Sequence, residues 1–410
     1  MDPLTRRALF RALGAFVGVL VIGSIGIAAI GTLRDKGAVH LGGPSPTPTA
    51  TASASPREDT WLAWVPGGLP EGFGTGLGNV HAVAEVAVQT ADIAWLVGSL
   101  DADGVPADTP ADPYMIPIDT VGIEPAYATF LPQPERSLVA ELRPGEAILS
   151  ETAAEMRGLG EGATMTFAGG QSVRIVGTLP DHLMGAYELL VPRPTGETIG
   201  VTHERYVVFH TRPDASSDPA RLAAFFLPYV PTDYPYGEVE VRAPGQTPYV
   251  RANDRELPPM YLKARFGEFA AYPDASTPGS LVIDPTWVES HIVSQTLPVF
   301  GTVTCHAKTL KYLMSVADRL AASAQADPIT GVGDCYAPEA APDDPSGPFT
   351  GRPFGAVIDL NPGQNRPGDE PQQDTAVVRL MYRAGFGWGG RDAYQQGARF
   401  RYVHPPQKAD

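Results

Sequence analysis

Residues 352–362 read RPFGAVIDLNP, and the organisation of the C-terminal part of the chain can be predicted outward from this stretch. The apolar run at 356–360 has the composition of a short buried strand, and the Asn-Pro pair after it predicts a turn. Upstream, apolar residues at spacings of three and four predict an amphipathic helix over residues 307–324. The same spacing downstream predicts a shorter helix over residues 374–384. A strand between two helices predicts an α+β domain that covers residues 280–410.

Four phrases in this region follow one another in the order found in a known family. They are the Gly-x-Cys-Tyr-x-Pro phrase at 333–338, the stretch 352–362, Gly-Phe-Gly-Trp-Gly-Gly at 385–390, and the closing residues 396–401. This series resembles the zinc D-alanyl-D-alanine carboxypeptidases and L-alanyl-D-glutamate endopeptidases that act on bacterial cell-wall peptides. The resemblance implies a D,D-carboxypeptidase-like fold for the C-terminal domain.

The resemblance also implies a zinc site, but most positions of that site have changed. Where the family has two histidine ligands, this chain has Arg352 and Arg399, and the acidic general base is replaced by Gln396. Glu339 stands where the family has an arginine that binds the substrate carboxylate, so only Asp359 remains as a metal ligand. A guanidinium has no lone pair for a metal, and an amide cannot take a proton from water. We therefore predict a pseudo-enzyme that needs no cofactor, with none of these positions assigned as catalytic.

Arg352, Asp359 and Arg399 are predicted to meet where the zinc would lie, because a carboxylate between two guanidiniums satisfies all three groups. Such a cluster stabilises the fold, and any positive charge left over could also hold a peptide carboxylate. A rebuilt zinc site with Asp359 as one ligand stays open as the alternative. His404 would need a slip of the last strand to reach the site, whereas His306 is placed to cap or pack against the start of a helix.

Cys305 and Cys335 flank the first helix of this domain. Two cysteines of one extracytoplasmic domain favour a pair, so we predict a disulfide between them. Trp388 lies between glycines, which allow close backbone approach, and is predicted to form a packed wall of the ligand groove.

The middle of the chain contains a compact unit at residues 145–179. Ser150 is a suitable N-cap for a helix that ends at Gly158, and two short strands around Gly169-Gly170 complete the unit. This order resembles the extracytoplasmic core domain of ABC permeases of the MacB/FtsX kind. Earlier in the chain, Val83, Val86 and Val88 are consistent with a strand, and Ile93, Trp95 and Val97 alternate as the apolar face of another, half-buried strand.

The N-terminal segment contains 22 residues without a charge, Ala12 to Leu33, enough to cross a bilayer as a helix. Basic residues lie before it and no comparable cluster follows, which predicts that the N-terminus is cytoplasmic and the bulk of the chain is extracytoplasmic. The residues around Arg6-Arg7 also resemble a twin-arginine export signal, so a cleaved leader stays open as an alternative. Residues 34–59 are rich in proline, serine and threonine and form a linker.

Composition excludes several classes of protein. The 410 residues include 30 Lys and Arg against 46 Asp and Glu, a formal net charge of −16 that disfavours nucleic-acid binding. Hydrophobic residues make up 43%, which is enough to form real cores. Gly and Pro together form about a fifth of the chain, which favours turns and short strands over long helices.

We therefore expect a bacterial cell-membrane protein of the α+β class, with one anchor and extracytoplasmic domains. The predicted boundaries are a cytoplasmic stub at 1–11, an anchor or signal at 12–33, a linker at 34–59, a β-rich domain at 60–249, a connector at 250–279 and the peptidase-like domain at 280–410. The expected function is non-catalytic binding of a peptidoglycan stem peptide or an envelope protein. The alternatives are an active zinc peptidase of the same family and an accessory protein of an ABC transporter.

Overall fold

A computed structural model describes residues 59–234, 238–246, 257–323, 329–339, 350–392 and 395–403. The predicted anchor at 12–33, the linker up to residue 58 and His404 lie outside these residues. Within the described ranges, no helix is both long and apolar enough to cross a bilayer. All described residues belong to one compact unit.

The first part of this unit is rich in β-structure. Its strands are β1 (Trp61–Trp64), β2 (Val83–Leu100), β3 (Ile116–Ile123), β4 (Glu146–Ser150), β5 (Thr164–Phe167), β6 (Ser172–Leu179), β7 (Leu189–Pro192), β8 (Glu204–Thr211) and β9 (Glu240–Arg242). Its α-helices are α1 (Phe73–Gly78), α2 (Glu135–Ala140), α3 (Glu151–Arg157), α4 (Arg193–Thr198) and α5 (Pro219–Phe226).

These strands form one sheet in the order β3-β7-β4-β6-β5-β2-β8-β1-β9. Because β3 also pairs with β2, the first six strands close into a ring. The β3–β7 and β4–β6 pairs are parallel, and the other pairs in the sheet are antiparallel. Strand β2 belongs to the ring and also connects it to the remaining strands β8, β1 and β9. It pairs with β8 near its start and with β3 and β5 further along.

Strand β2 corrects one sequence expectation. The alternation predicted two strands, with Ile93, Trp95 and Val97 on the buried face, but the structure has one strand of 18 residues. Between Ile93 and Val97 the fully buried side chains are those of Ala94 and Leu96, while Val97 is 41% exposed. Ile93 and Trp95 lie on the opposite face and pack against the core of the C-terminal part, which a local pattern could not reveal.

The unit at residues 145–179 has the predicted order of elements. The side chain of Ser150 accepts a hydrogen bond from the backbone N–H of Ala153 and caps α3, which ends at Gly158 in a left-handed conformation. Strands β5 and β6 follow as an antiparallel pair. The cap residues at the two ends of α3 were therefore enough to predict the order of elements in this unit.

The C-terminal part alternates helices with short strands. Its elements are α6 (Pro259–Phe266), β10 (Ala271–Pro273), β11 (Leu281–Ile283), α7 (Pro285–His291), β12 (Ile292–Leu297), β13 (Gly301–His306), α8 (Ala307–Ala321), β14 (Val357–Asp359), α9 (Thr375–Arg383), β15 (Phe386–Trp388) and β16 (Arg399–Tyr402). Strands β12 and β13 form a hairpin, and β14, β16 and β15 form a three-stranded antiparallel sheet in that order. Together with the β-rich part, these elements confirm the mixed α+β class.

One apolar core holds the C-terminal part together. Helix α8 contributes Leu313, Ala317 and Leu320, and the three-stranded sheet contributes Ile358 and Phe400. These residues are buried, and helix α6 adds further apolar residues to the same core. The three-stranded sheet is thereby fixed against the helices, which sets the position of the predicted site.

Candidate site in the C-terminal sheet

Strand pairing brings the predicted site residues together. Asp359 on β14 lies directly opposite Arg399 on β16, and both strands are short and buried. Arg352 comes from the turn that precedes β14. In that turn Gly355 has a φ of 62°, and a Cβ there would lie 2.5 Å from the backbone nitrogen of His306, so only glycine fits.

Asp359 interacts with both guanidinium groups. Arg352 donates a hydrogen bond from its Nη2 to Oδ2 of Asp359, and Nε of Arg399 donates to Oδ1 at 3.4 Å. The three side chains keep between 11% and 18% of their surface exposed, so water reaches the cluster. Both carboxylate oxygens of Asp359 are therefore engaged by cations.

Glu339 completes the charge balance of this cluster. Its Oε1 lies 3.8 Å from Nε of Arg352, and its side chain is more exposed than those of the other three residues. Two guanidiniums and two carboxylates give the four groups a formal net charge of zero. These four groups by themselves therefore carry no excess of positive charge.

The residues present do not fit a catalytic zinc ion. Two of the three positions that align with zinc ligands in the peptidases that the sequence resembles are guanidiniums, which cannot coordinate a metal, and the third is held by them. Among the described residues, no group of three or more His, Cys, Asp or Glu side chains could hold a metal ion.

Gln396 and Trp388 lie at the same edge of the sheet. Oε1 of Gln396 accepts a hydrogen bond from Arg401 at 3.2 Å, and Arg401 also donates to Asp392 at 2.6 Å. The indole N–H of Trp388 donates to the carbonyl of Gly397 at 2.8 Å. These bonds tie the loop between β15 and β16 to the sheet; the assignment of Trp388 and Glu339 to a ligand groove stays a prediction.

The predicted disulfide is present between Cys305 and Cys335. It joins the end of β13 to the segment whose backbone pairs with Thr304. His306 caps α8, because its Nδ1 accepts from the backbone N–H of Lys308 while its Nε2–H donates to the carbonyl of Phe266 at 2.9 Å. Burial lowers the pKa of this imidazole to about 4, so it is neutral at physiological pH.

Sequence reasoning missed a buried charged cluster between the two parts of the molecule. Arg157 on α3 contacts Glu188 at 3.1 Å and Glu268 at 2.5 Å, and Lys263 on α6 contacts the same two carboxylates at 2.6 and 3.0 Å. Burial opposes ionisation of Glu268, but the charges of Lys263 and Arg157 outweigh it and hold the pKa of this carboxyl below its ordinary value. The signal available in the sequence was Glu188 within the apolar run from Tyr187 to Val191.

No protein-family model matches this sequence, and no curated protein matches it. Among solved structures, 17 chains match. One is the periplasmic region of MacB from Actinobacillus actinomycetemcomitans, at 13% identity over 46% of this chain and 90% of that chain, with a TM-score of 0.33. Another is the extracellular domain of the noncanonic ABC-type transporter YknZ from Gram-positive bacteria, at 15% identity over 45% of this chain and 100% of that chain, with a TM-score of 0.30. Both matched regions lie outside the cytoplasm in their own proteins.

Proposed function

We propose that this protein is a non-catalytic binding protein of the bacterial cell envelope. Its C-terminal part retains the frame of a cell-wall zinc peptidase, binds a stem peptide or an envelope protein, and does not cleave it. The observation that carries this proposal is Asp359, whose two oxygens are engaged by Arg352 and Arg399. In this proposal an internal ion-pair cluster stands where the zinc peptidases hold their metal, and Asp359 is engaged by two guanidiniums instead of a zinc ion.

Metal content tests the loss of the zinc site. The purified full-length chain is incubated with zinc, dialysed and measured by mass spectrometry, and it should retain less than about 0.1 zinc per chain. The triple variant Arg352→His, Arg399→His and Gln396→Asp returns the three family groups and should retain about one zinc. One tightly bound zinc in the unaltered chain, or release of D-alanine from a stem pentapeptide by it, would show that the protein is a peptidase.

Binding needs a separate measurement. The full-length chain is mixed with purified peptidoglycan sacculi and sedimented, and the bound fraction should be several times that of Arg399→Glu, which places a third carboxylate beside Asp359. If the unaltered chain and Arg399→Glu sediment equally, the C-terminal site does not take part in binding to peptidoglycan.

A second candidate function is an accessory role on an ABC transporter. The observation that favours it is the unit β4-α3-β5-β6, which has the helix, glycine and strand order of the permease phrase at residues 145–179. Purification of the full-length chain from detergent-solubilised membranes should then recover a permease in a fixed molar ratio. Recovery without a permease at physiological salt would argue against this role.

A further inference from the structure

Strand β12 is an edge strand whose outer side has no partner among the described residues. It pairs only with β13 in the two-stranded hairpin. Residues 293–296 are exposed, and Val293 has 42% of its surface in water. An exposed edge presents backbone N–H and C=O groups that another strand can bind.

The hydrogen bonds of β13 show which groups of β12 point outward. The N–H of Thr304 donates to the Asp334 carboxylate at 2.8 Å, and its C=O accepts from the N–H groups of Cys335 and Tyr336 at 3.0 Å. Thr304 therefore turns its backbone groups away from β12, and its cross-strand neighbour Ser294 must turn its own groups to the outer side. By the two-residue period of a strand, the same holds for Thr296.

The side chains on both faces of the hairpin also leave the β12 edge uncovered. On one face, the hydroxyls of Ser294 and Thr304 lie 2.8 Å apart, and those of Thr296 and Thr302 lie 2.7 Å apart. On the other face, β13 contributes the buried residues Val303 and Cys305, whereas their β12 neighbours Gln295 and Val293 are exposed. The covered face thus ends one strand before the edge of the hairpin.

The sequence of β12, IVSQTL, lacks the residue types that commonly protect an edge. It has no charged residue and no proline, and its pairing with β13 runs without a bulge. We propose that β12 pairs antiparallel with β12 of a second copy of this chain, so that the two hairpins form a continuous four-stranded sheet.

The chemistry of the strand favours a second copy as the occupant. With Gln295 opposite Gln295 of the second copy, each Ser294 faces a Thr296, which repeats the kind of hydroxyl pair already present inside the hairpin. Ser294 and Thr296 exchange their outward N–H and C=O groups in this register, while the N–H of Ile292 is already donated to Val288. The strand has no charged side chain, so two chains that each carry a net charge of −16 bring no like charges together between the two paired strands.

Cysteine cross-linking of the full-length chain tests this pairing. In this register Gln295 and Gln295 of the second copy form a non-hydrogen-bonded pair, whose Cα atoms lie about 4.5 Å apart, within the range of about 4.4–6.8 Å over which disulfides form. After mild oxidation, Gln295→Cys should run mainly as a covalent dimer on a non-reducing gel. The matched control Thr302→Cys, on β13 and one strand away from the edge, should give at least five-fold less dimer.

Two variants of the edge strand distinguish a dimer formed through β12 from one formed through another surface. Thr296→Pro removes an outward N–H without breaking a backbone hydrogen bond to β13, and Thr296→Lys adds a charge at the edge, so both should lose the dimer in light scattering. Thr296→Ala, which like the proline variant loses the hydroxyl bond to Thr302, should retain the dimer. A monomeric unaltered chain, or equal cross-linking by Gln295→Cys and Thr302→Cys, would overturn the proposal. A dimer that survives Thr296→Lys would do the same, because it would be held by another surface.

Discussion

Asp359 is partly exposed and accepts hydrogen bonds from Arg352 and Arg399, so its negative charge stabilises both guanidiniums. Asp359→Asn keeps the size of the side chain but removes the negative charge that contacts both guanidiniums. We expect the free energy of unfolding to fall by about 2–3 kcal/mol, measured by urea denaturation at pH 7. Asp369→Asn, at an exposed position, is the matched control and should change it by less than about 0.5 kcal/mol. Equal effects of the two variants would mean that the cluster does not stabilise the fold.

His306 gives the molecule a pH-dependent stability. Burial lowers its pKa to about 4, whereas an unfolded histidine titrates near its ordinary value of 6.5. The unfolded chain therefore binds a proton that the folded chain excludes, and the stability present above pH 6.5 is lost as the pH falls toward 4. The contribution is about 3 kcal/mol at 1.36 kcal/mol per pH unit.

The measurement is urea denaturation of the unaltered chain and His306→Asn at pH 7 and pH 4.5. Asparagine still caps a helix but does not titrate, so the variant should lose less stability between the two pH values than the unaltered chain. His81→Gln, at an exposed position, is the control and should follow the unaltered chain. Parallel curves for all three chains would contradict the assignment.

At the scale of elements, the disulfide fixes the segment that follows α8 to the end of β13. The two cysteines are separated by 30 residues, and closing a loop of that length lowers the entropy of the unfolded chain. We expect reduction of the bond to cost about 3–4 kcal/mol of unfolding free energy. Urea denaturation with and without reductant measures this cost, and the double variant Cys305→Ala and Cys335→Ala should be insensitive to reductant. If reductant does not change the unfolding free energy of the unaltered chain, the argument from loop entropy is wrong.

Local signals predicted the helices and the turns, because caps and apolar spacing act within a few residues. The sequence predicted helices at 307–324 and 374–384, and the structure has α8 and α9 there with ends within three residues of the prediction. The two predicted strands form the single strand β2 because β2 pairs with residues as far away in sequence as Thr211, the partner of Val83, and no local spacing records such a contact. The contact of Asp359 with Arg352 and Arg399 followed from motif positions, whereas Glu339 as the neutralising group became visible only in three dimensions.

At the scale of the whole molecule, buried charges join the β-rich part to the C-terminal part. Arg157 and Glu188 come from the β-rich part, Lys263 lies on α6, and Glu268 follows that helix. A charge buried without its partner destabilises a fold far more than a pair contributes, so each part depends on the other to keep its charges paired. The molecule should consequently unfold as one unit in a single transition.

Arg157→Met tests this dependence, because it removes one of the two cations that contact both Glu188 and Glu268 and leaves Lys263 as the other. We expect a loss of about 3–5 kcal/mol in the free energy of unfolding and a matching loss of hydrogen-exchange protection in both β4 and α8. Arg174→Met is the matched control, since Arg174 forms an exposed pair with Glu146 at 2.8 Å and should contribute less than about 1 kcal/mol. Loss of protection confined to β4, with α8 unchanged, would show that the two parts unfold independently and that the cluster does not couple them.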